Sequence, residues 1–398
     1  MSCFQFIDAK AACKRVYVKA DFAEFNKNLD LTSTWDYSLN CDLVDNDVEY
    51  ASLYCGGLGL GDVCPPSLED RWESASKRMK AYLNCFINAR VSLEEHCFYD
   101  MVPHHFLVEF FEVKSRIAAH VLGHYKRPSN YDFLLQLTKL TTEIEERPLR
   151  FNFKNIDTVL LLRNINKNLI KKINNSKGKI SYNIYGTRTG RLTTNAGSFP
   201  ILTLKKEFRK GIEPQNDLFV EMDFNAAELR TLLSLCGRKQ PGEDIHQWNV
   251  KNVFGGLLTR EEAKTRIFSW MYNSESKDKL PNQTYDRFAV IKKHWDGNTV
   301  TTPFGRKIEA DEFHALNYLI QSTTSDLFLR RVLALHHMLK GFKSHIAFTV
   351  HDSVVIDFSN EDKGNLKKMI ETFGETSLGH FKTNVAVGKT YGSLRQIL

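Results

Sequence analysis

Residues 218–235 read LFVEMDFNAAELRTLLSL. An apolar run of strand length delivers Asp223, and the chain turns directly into a helical pattern that begins near Asn225 and carries Glu228 and Arg230. A carboxylate at the end of a strand points out of its sheet. A second stretch, residues 345–358, reads HIAFTVHDSVVIDF: two apolar strands flank His351, Asp352 and Ser353, the pattern of a hairpin with an acid at its tip. If these strands neighbour the first in one sheet, Asp223 and Asp352 converge.

Two carboxylates at close range repel, and are tolerated when divalent cations sit between them; Mg²⁺ takes one or two protein acids plus substrate phosphates. The chemistry implied is two-metal phosphoryl transfer, with two Mg²⁺ ions and Mn²⁺ able to substitute. Taken singly, either acid has an ordinary explanation as a turn or capping residue. A third segment weakens that explanation. In TREEAKTRIFSWMYN, residues 259–273, Arg260, Lys264, Phe268 and Tyr272 recur every four residues along one slowly drifting helix face, roughly 18 Å long. That is about the reach of a nucleoside triphosphate from terminal phosphate to base. A purely amphipathic helix would instead bury Phe268 and Tyr272 and leave Arg260 and Lys264 in solvent.

Charge outside these segments is unevenly spread. The formal net charge is +7, yet between Arg163 and Lys210 twelve Lys or Arg stand against one acid, Glu207. This density, beside Tyr182, Tyr185 and the TRTGRLTT turn, marks a polyanion footprint rather than an ordinary solvated face. Arg188, Lys205, Lys206, Arg209 and Lys210 are its candidate DNA contacts.

At 398 residues, 42% hydrophobic and 25% charged, the chain is long enough for two or three packed subdomains, and disordered and fibrous classes are excluded. No run of about 18 apolar residues occurs and the opening stretch lacks a signal-peptide core, so a cytoplasmic, non-secreted protein without membrane contact is expected. Eight cysteines without CxxC pairs read as reduced structural thiols. The glycines of CGGLGLGDVCPP, residues 55–66, lack the Lys-Ser or Lys-Thr of a phosphate loop and mark a boundary instead. From Ser67 to about Asn174 the apolar spacing is helical; beyond about 180, short apolar runs alternate with helical segments.

Six motifs in order, SYNIYGTRTGRLTT, MDFNAAELR, DIH, the R-x3-K-x3-F-x3-Y helix, LNYLIQSTTSD and VHDS, make the chain resemble the family A (DNA polymerase I type) DNA polymerases over roughly residues 170–398. The resemblance implies an α+β right-hand polymerase fold with an antiparallel-sheet palm, helical fingers and a helical thumb. The expected division is an amino-terminal extension at 1–65, thumb at 66–180, palm at 181–234, fingers at 235–312 and palm again at 313–398. Asp223 and Asp352 would bind the metals, completed by the Phe224 carbonyl. Glu228 would act as the steric gate against a sugar 2′-hydroxyl. Arg260, Lys264 and His246 would contact the triphosphate, with Lys264 protonating the pyrophosphate. Phe268 would lie against the sugar and Tyr272 beside the nascent base pair. Arg191 and Gln321 would read minor-groove acceptors, which check geometry rather than sequence, and Asn317 and His351 would lie near the template and the primer end. Primer-template DNA and dNTPs are the implied partners of a monomer, with a separate exonuclease, helicase-primase or processivity factor alongside; a phage or viral source fits.

The departures are specific. Ser353 stands where the family has an auxiliary acid, Asn273 where it has glycine after the helix tyrosine, and Ala226 where it has glutamine before the gate; the span from Tyr272 to Asn317 is also shorter. Asp47 and Glu49 have the D-x-E spacing of an exonuclease metal site but no apolar strand before them, and with Asp21, Glu24, Asp42 and Asp45 are taken as surface charge. No intrinsic 3′–5′ exonuclease is expected. The rival readings are a single-subunit RNA polymerase or primase-like enzyme, against which Glu228 and Phe268 argue, and a non-catalytic DNA-binding accessory subunit, against which the retained Asp223 and Asp352 argue.

Overall fold

A computed structural model of the chain describes residues 3–5, 16–19, 22–24, 33–37, 48–91, 101–273 and 275–398. They belong to two compact units, Met1–Glu143 and Ile144–Leu398.

The first unit holds a five-stranded sheet of β1 (Cys3–Gln5), β2 (Val16–Lys19), β3 (Phe22–Glu24), β4 (Ser33–Thr34) and β5 (Glu49–Tyr50), ordered β3-β2-β1-β4-β5. The first three pair antiparallel, and β4 and β5 run parallel to β1. The sequence reading expected only an extension here, because runs of two to four residues are too short to show a period. Helices α1 (Glu69–Asn88), α2 (His104–His124) and α3 (Tyr131–Glu145) follow, and α2 lies along both the sheet and α1. Phe106, Leu107 and Phe111 of α2 pack with Ala75 of α1. Glu49 starts β5, whereas Asp21, Asp42, Asp45 and Asp47 lie outside the described residues, as do Cys13, Cys41 and Cys97. Cys55, Cys64, Cys85 and Cys236 are free thiols.

The helical stretch read from sequence is shared between the units, its last full helix, α4 (Lys167–Ser176), lying in the second. That unit is organised by a fully antiparallel sheet with β6 (Leu218–Phe224) at its centre, flanked by β8 (Ser353–Phe358) and β9 (Thr383–Gly388), with β7 (His345–Val350) and β10 (Arg395–Gln396) at the edges. Val220, Met222 and Phe224 alternate onto one face of β6 and are buried. There Phe224 stacks on Phe373 with ring centroids 4.3 Å apart and meets Phe328 and Phe381 edge-on. Phe328 belongs to α8 (Glu312–Leu339), started by Asp311, whose carboxylate accepts from the His314 amide. The β7 edge is closed by a side chain: the Tyr182 hydroxyl donates to the Thr349 carbonyl at 2.6 Å and accepts from the Thr349 amide at 3.0 Å.

Between β6 and α8 lie α5 (Ala227–Leu235), α6 (Ile245–Asn252) and α7 (Arg260–Tyr272). Thr259 and Glu262 form a reciprocal capping box at the start of α7. Its buried residues are Ala263, Ile267, Trp270 and Met271, joined to the core of α5, α6 and α8. Among the described residues no helix is long and apolar enough to cross a membrane.

Candidate active site

Strand pleating puts Glu221 and Asp223 on the face of β6 opposite Val220, Met222 and Phe224. Asp223 pairs with Ser353 on one side and Asn384 on the other. Val350 pairs with Ser353, so His351 and Asp352 form a two-residue loop, with His351 in the left-handed region at φ 54°. The tight turn fixes Asp352 one residue from the strand position facing Asp223. Both acids line one cavity of about 440 Å³, together with Glu221, Arg209 and Tyr391. Burial, then the charges of Asp352 and Glu221, push the Asp223 carboxyl up to about 7 against a hydrogen bond from Asn384. Burial raises Asp352 as well, with Arg191 and His351 opposing it.

Arg191 closes one side of this group. Its Nη2 lies 2.5 Å from Glu228 Oε1 and 3.8 Å from Asp352 Oδ2. Glu228 sits in the first turn of α5, and burial, partly offset by Arg191, raises its carboxyl. The helix starts two residues later than the sequence pattern suggested, at Ala227, because Ala226 is left-handed at φ 49° and the Asn225 side chain is committed elsewhere. Asn225 donates to Asp244, while its Oδ1 accepts from the Ile245 amide and from Arg230. Arg230 is fully buried and also donates to the carbonyls of Asn225, Pro241 and Glu243. It is the peg of the strand-to-helix turn, a role a helix-surface arginine in the sequence does not announce.

Along α7, Arg260, Lys264 and Tyr272 are exposed and Phe268 is half-buried, while the apolar residues between them form the core. Tyr272 therefore stands outside the core, while Phe268 packs against its edge. Phe268 and Tyr272 stack with centroids 6.1 Å apart and planes 8° apart. Arg260 makes a two-pronged pair with Asp244 at 3.1 and 2.9 Å. Burial works against the Asp244 carboxylate, but hydrogen bonds from Arg260, Asn225 and the Gln247 amide hold it well below the usual range. His246 is buried beside Phe268, and burial lowers its imidazole to about 4, so it is neutral near pH 7. Asn273, where glycine was the expectation, has φ −99°, which any residue adopts.

Asn317 and Gln321 are one turn apart on α8, both half-buried, and Asn317 Oδ1 is buried without a hydrogen-bond partner. Arg188, Lys205, Lys206 and Lys210 are exposed; Lys205 donates to Asn166 at 2.8 Å, and Arg209 lies over the Tyr391 ring at 5.0 Å. A support unread in the sequence lies under Arg191. Arg306 makes a two-pronged pair with the buried Asp326, and its guanidinium fills the space a side chain on Gly190 would need, 2.5 Å from that Cβ position.

No protein-family model matches the chain. It is 26% identical over 220 residues to a DNA polymerase of Mycobacterium phage D29, covering 44% of this chain and 35% of that one. It is 22% identical over 327 residues to DNA polymerase I of Borreliella burgdorferi, covering 65% and 36%. With DNA polymerase I of Chloroflexus aurantiacus the identity is 26% over 244 residues, covering 48% and 26%. The chain thus spans about a third of the length of these curated relatives. Among solved structures it is similar to the POL domain of Pol1 from M. smegmatis, in complex with DNA primer-template and dNTP, at TM-score 0.60 and 12% identity, covering 87% of this chain and 82% of that one.

The chain is similar to the polymerase part of DNA polymerase I and of phage DNA polymerases. It has the right-hand polymerase fold of that POL domain, with the antiparallel sheet in the place of the palm. Within it, Asp223, Asp352, Glu228 and Arg191 come together at the palm surface, and α7 carries its basic and aromatic residues on one outward face.

Proposed function

We propose that this chain extends a DNA primer on a template by adding dNTPs to its 3′-hydroxyl through two-metal-ion phosphoryl transfer. The observation that carries this reading is the forced convergence of Asp223 and Asp352 on one cavity wall, beside Glu228. Two half-buried acids whose proton affinity burial raises, against Arg191, His351 and a hydrogen bond from Asn384, are a hard-oxygen donor set suited to Mg²⁺. Asp223, Asp352 and the Phe224 carbonyl would hold it.

Bound Mg²⁺ supplies the activation of a primer 3′-hydroxyl and the neutralisation of the leaving pyrophosphate. Lys264 holds the triphosphate and gives a proton to the leaving pyrophosphate. Arg260 exchanges one prong of its Asp244 pair for phosphate, and neutral His246 offers a hydrogen bond rather than a charge. Glu228 occupies the room a 2′-hydroxyl would need. Phe268 and Tyr272 provide stacking surface for the sugar and base, Asn317, Gln321, Arg191 and His351 face the primer-template, and the basic stretch neutralises its phosphates. The five-part division into extension, thumb, palm, fingers and palm belongs to the same proposal. The similarity to a domain solved with primer-template and dNTP supports these partners.

The test is extension of a primed template with all four dNTPs, with and without Mg²⁺. Asp223→Asn and Asp352→Asn should each abolish extension while primer-template affinity stays within a few fold; extension retained by either removes the metal assignment. Efficient use of NTPs alone would transfer the chain to the RNA polymerases. With dNTPs withheld, the same assay reads 3′ trimming, for which the expectation is none.

A further inference from the structure

We infer that Glu221 is a positioning carboxylate of the metal site, supplied from the β6 strand to the water shell of the ions that Asp223 and Asp352 would hold. The inference rests on the metal reading above. Glu221 is two residues before Asp223, so both side chains leave the same face of β6 and enter the same cavity. Its neighbours across the two ladders, Val355 and Ala386, are apolar and offer it nothing. The hydrogen bond it receives comes diagonally from the Ser353 hydroxyl, 3.2 Å from its Oε1. Ser353 is the residue that faces Asp223 directly, and it stands where the sequence comparison with the family expects an acid. The carboxylate absent from the β8 strand is thus replaced, within touching distance, by one from its neighbour.

The chemistry favours an outer role. Mg²⁺ sheds water reluctantly and is usually held by one or two protein acids, so its remaining waters need acceptors. Outer acceptors of this kind typically change metal affinity by about 10- to 100-fold. Glu221 is half-buried, accepts one hydrogen bond from the Ser353 hydroxyl and is kept charged by nearby Arg209, which leaves its oxygens lone pairs for that task. Arg209, over the Tyr391 ring at 5.0 Å, lines the same cavity, and its charge favours the ionised form of Glu221.

The experiment is Mn²⁺ titration of the metal-free full chain, with free ion followed by its EPR signal, so that it does not depend on turnover. Glu221→Gln should weaken Mn²⁺ binding about tenfold or more. The exchange variant Glu221→Ser with Ser353→Glu, which returns a carboxylate to the same spot from the other strand, should recover most of the loss. Circular dichroism melts establish that each variant is folded; should the exchange variant not fold, the isosteric Glu221→Gln decides alone. Unchanged binding in Glu221→Gln, or a loss the folded exchange variant does not recover, overturns the inference. Asp223→Asn separates the two levels: if it abolishes Mn²⁺ binding while Glu221→Gln does not change it, only Glu221 is misassigned, and if neither variant changes it, the metal reading falls too.

Discussion

Arg191 holds Glu228 at 2.5 Å and reaches Asp352 at 3.8 Å, so one guanidinium ties two acids of the site together. It is half-exposed, and its worth is correspondingly reduced by solvent. Arg191→Ala is expected to cost about 1–2 kcal/mol of metal-free stability, mostly by leaving two half-buried carboxylates facing each other, with the loss shrinking when Mg²⁺ is added. Urea unfolding with and without Mg²⁺ measures both; an equal loss in the two conditions would contradict it.

Glu228 should set sugar choice. Glu228→Ala is expected to lower the dNTP over NTP ratio of kcat/KM by about tenfold or more, an energy of roughly 1.4 kcal/mol, chiefly by admitting NTPs. Single-nucleotide incorporation with matched dNTP and NTP pairs gives the ratio, and an unchanged value removes the gate role.

The acid pair predicts a pH effect with a definite sign. The Asp223 carboxyl in the folded, metal-free protein is pushed up to about 7 from an ordinary 3.8. Between those values the folded chain binds the extra proton, so stability is full at acid pH and is lost as pH rises through about 7. Asp223→Asn should therefore stabilise the metal-free protein by about 1–3 kcal/mol near pH 8 and by little near pH 4. Because the ion competes with that proton, Mg²⁺ affinity should weaken by up to about tenfold per unit below pH 7. Urea unfolding and Mg²⁺ titration across pH test the two halves.

Arg230 should be the costliest single residue of the turn. Its buried guanidinium satisfies carbonyls at Asn225, Pro241 and Glu243, and Arg230→Met would leave these without a donor. A loss of about 3–5 kcal/mol is expected in urea unfolding. A change under about 1 kcal/mol would mean that water replaces the side chain.

DNA affinity should fall steeply with salt. Neutralising Lys205, Lys206, Arg209 and Lys210 together should flatten the slope of log K against log salt by up to about 3.6, if each meets one phosphate. An unchanged slope would move the footprint elsewhere.

The sequence was most legible where one period and one turn decided the outcome. Asp223 ends a clear apolar strand and Asp352 sits at a hairpin tip, so their meeting followed from strand pairing alone. The α7 face was readable because a four-residue repeat survives any neighbour. Arg230 and the Arg306 pair with Asp326 were not, because burial of an arginine is decided by distant carbonyls and acids that no local pattern reveals. Glu221 was invisible for a related reason: a glutamate within a strand looks like any solvent-facing residue until the facing strand shows what stands opposite. The first unit's sheet escaped because its strands are too short for alternation to show.

The Tyr182 hydroxyl, by taking both ladder groups of Thr349, deprives the outermost strand of the sheet of a free hydrogen-bonding pair at that point. A second chain approaching this margin meets a phenol ring instead of an open template for strand addition. Tyr182→Phe would keep the packing and reopen that position, so one oxygen atom guards this margin of the sheet against self-association.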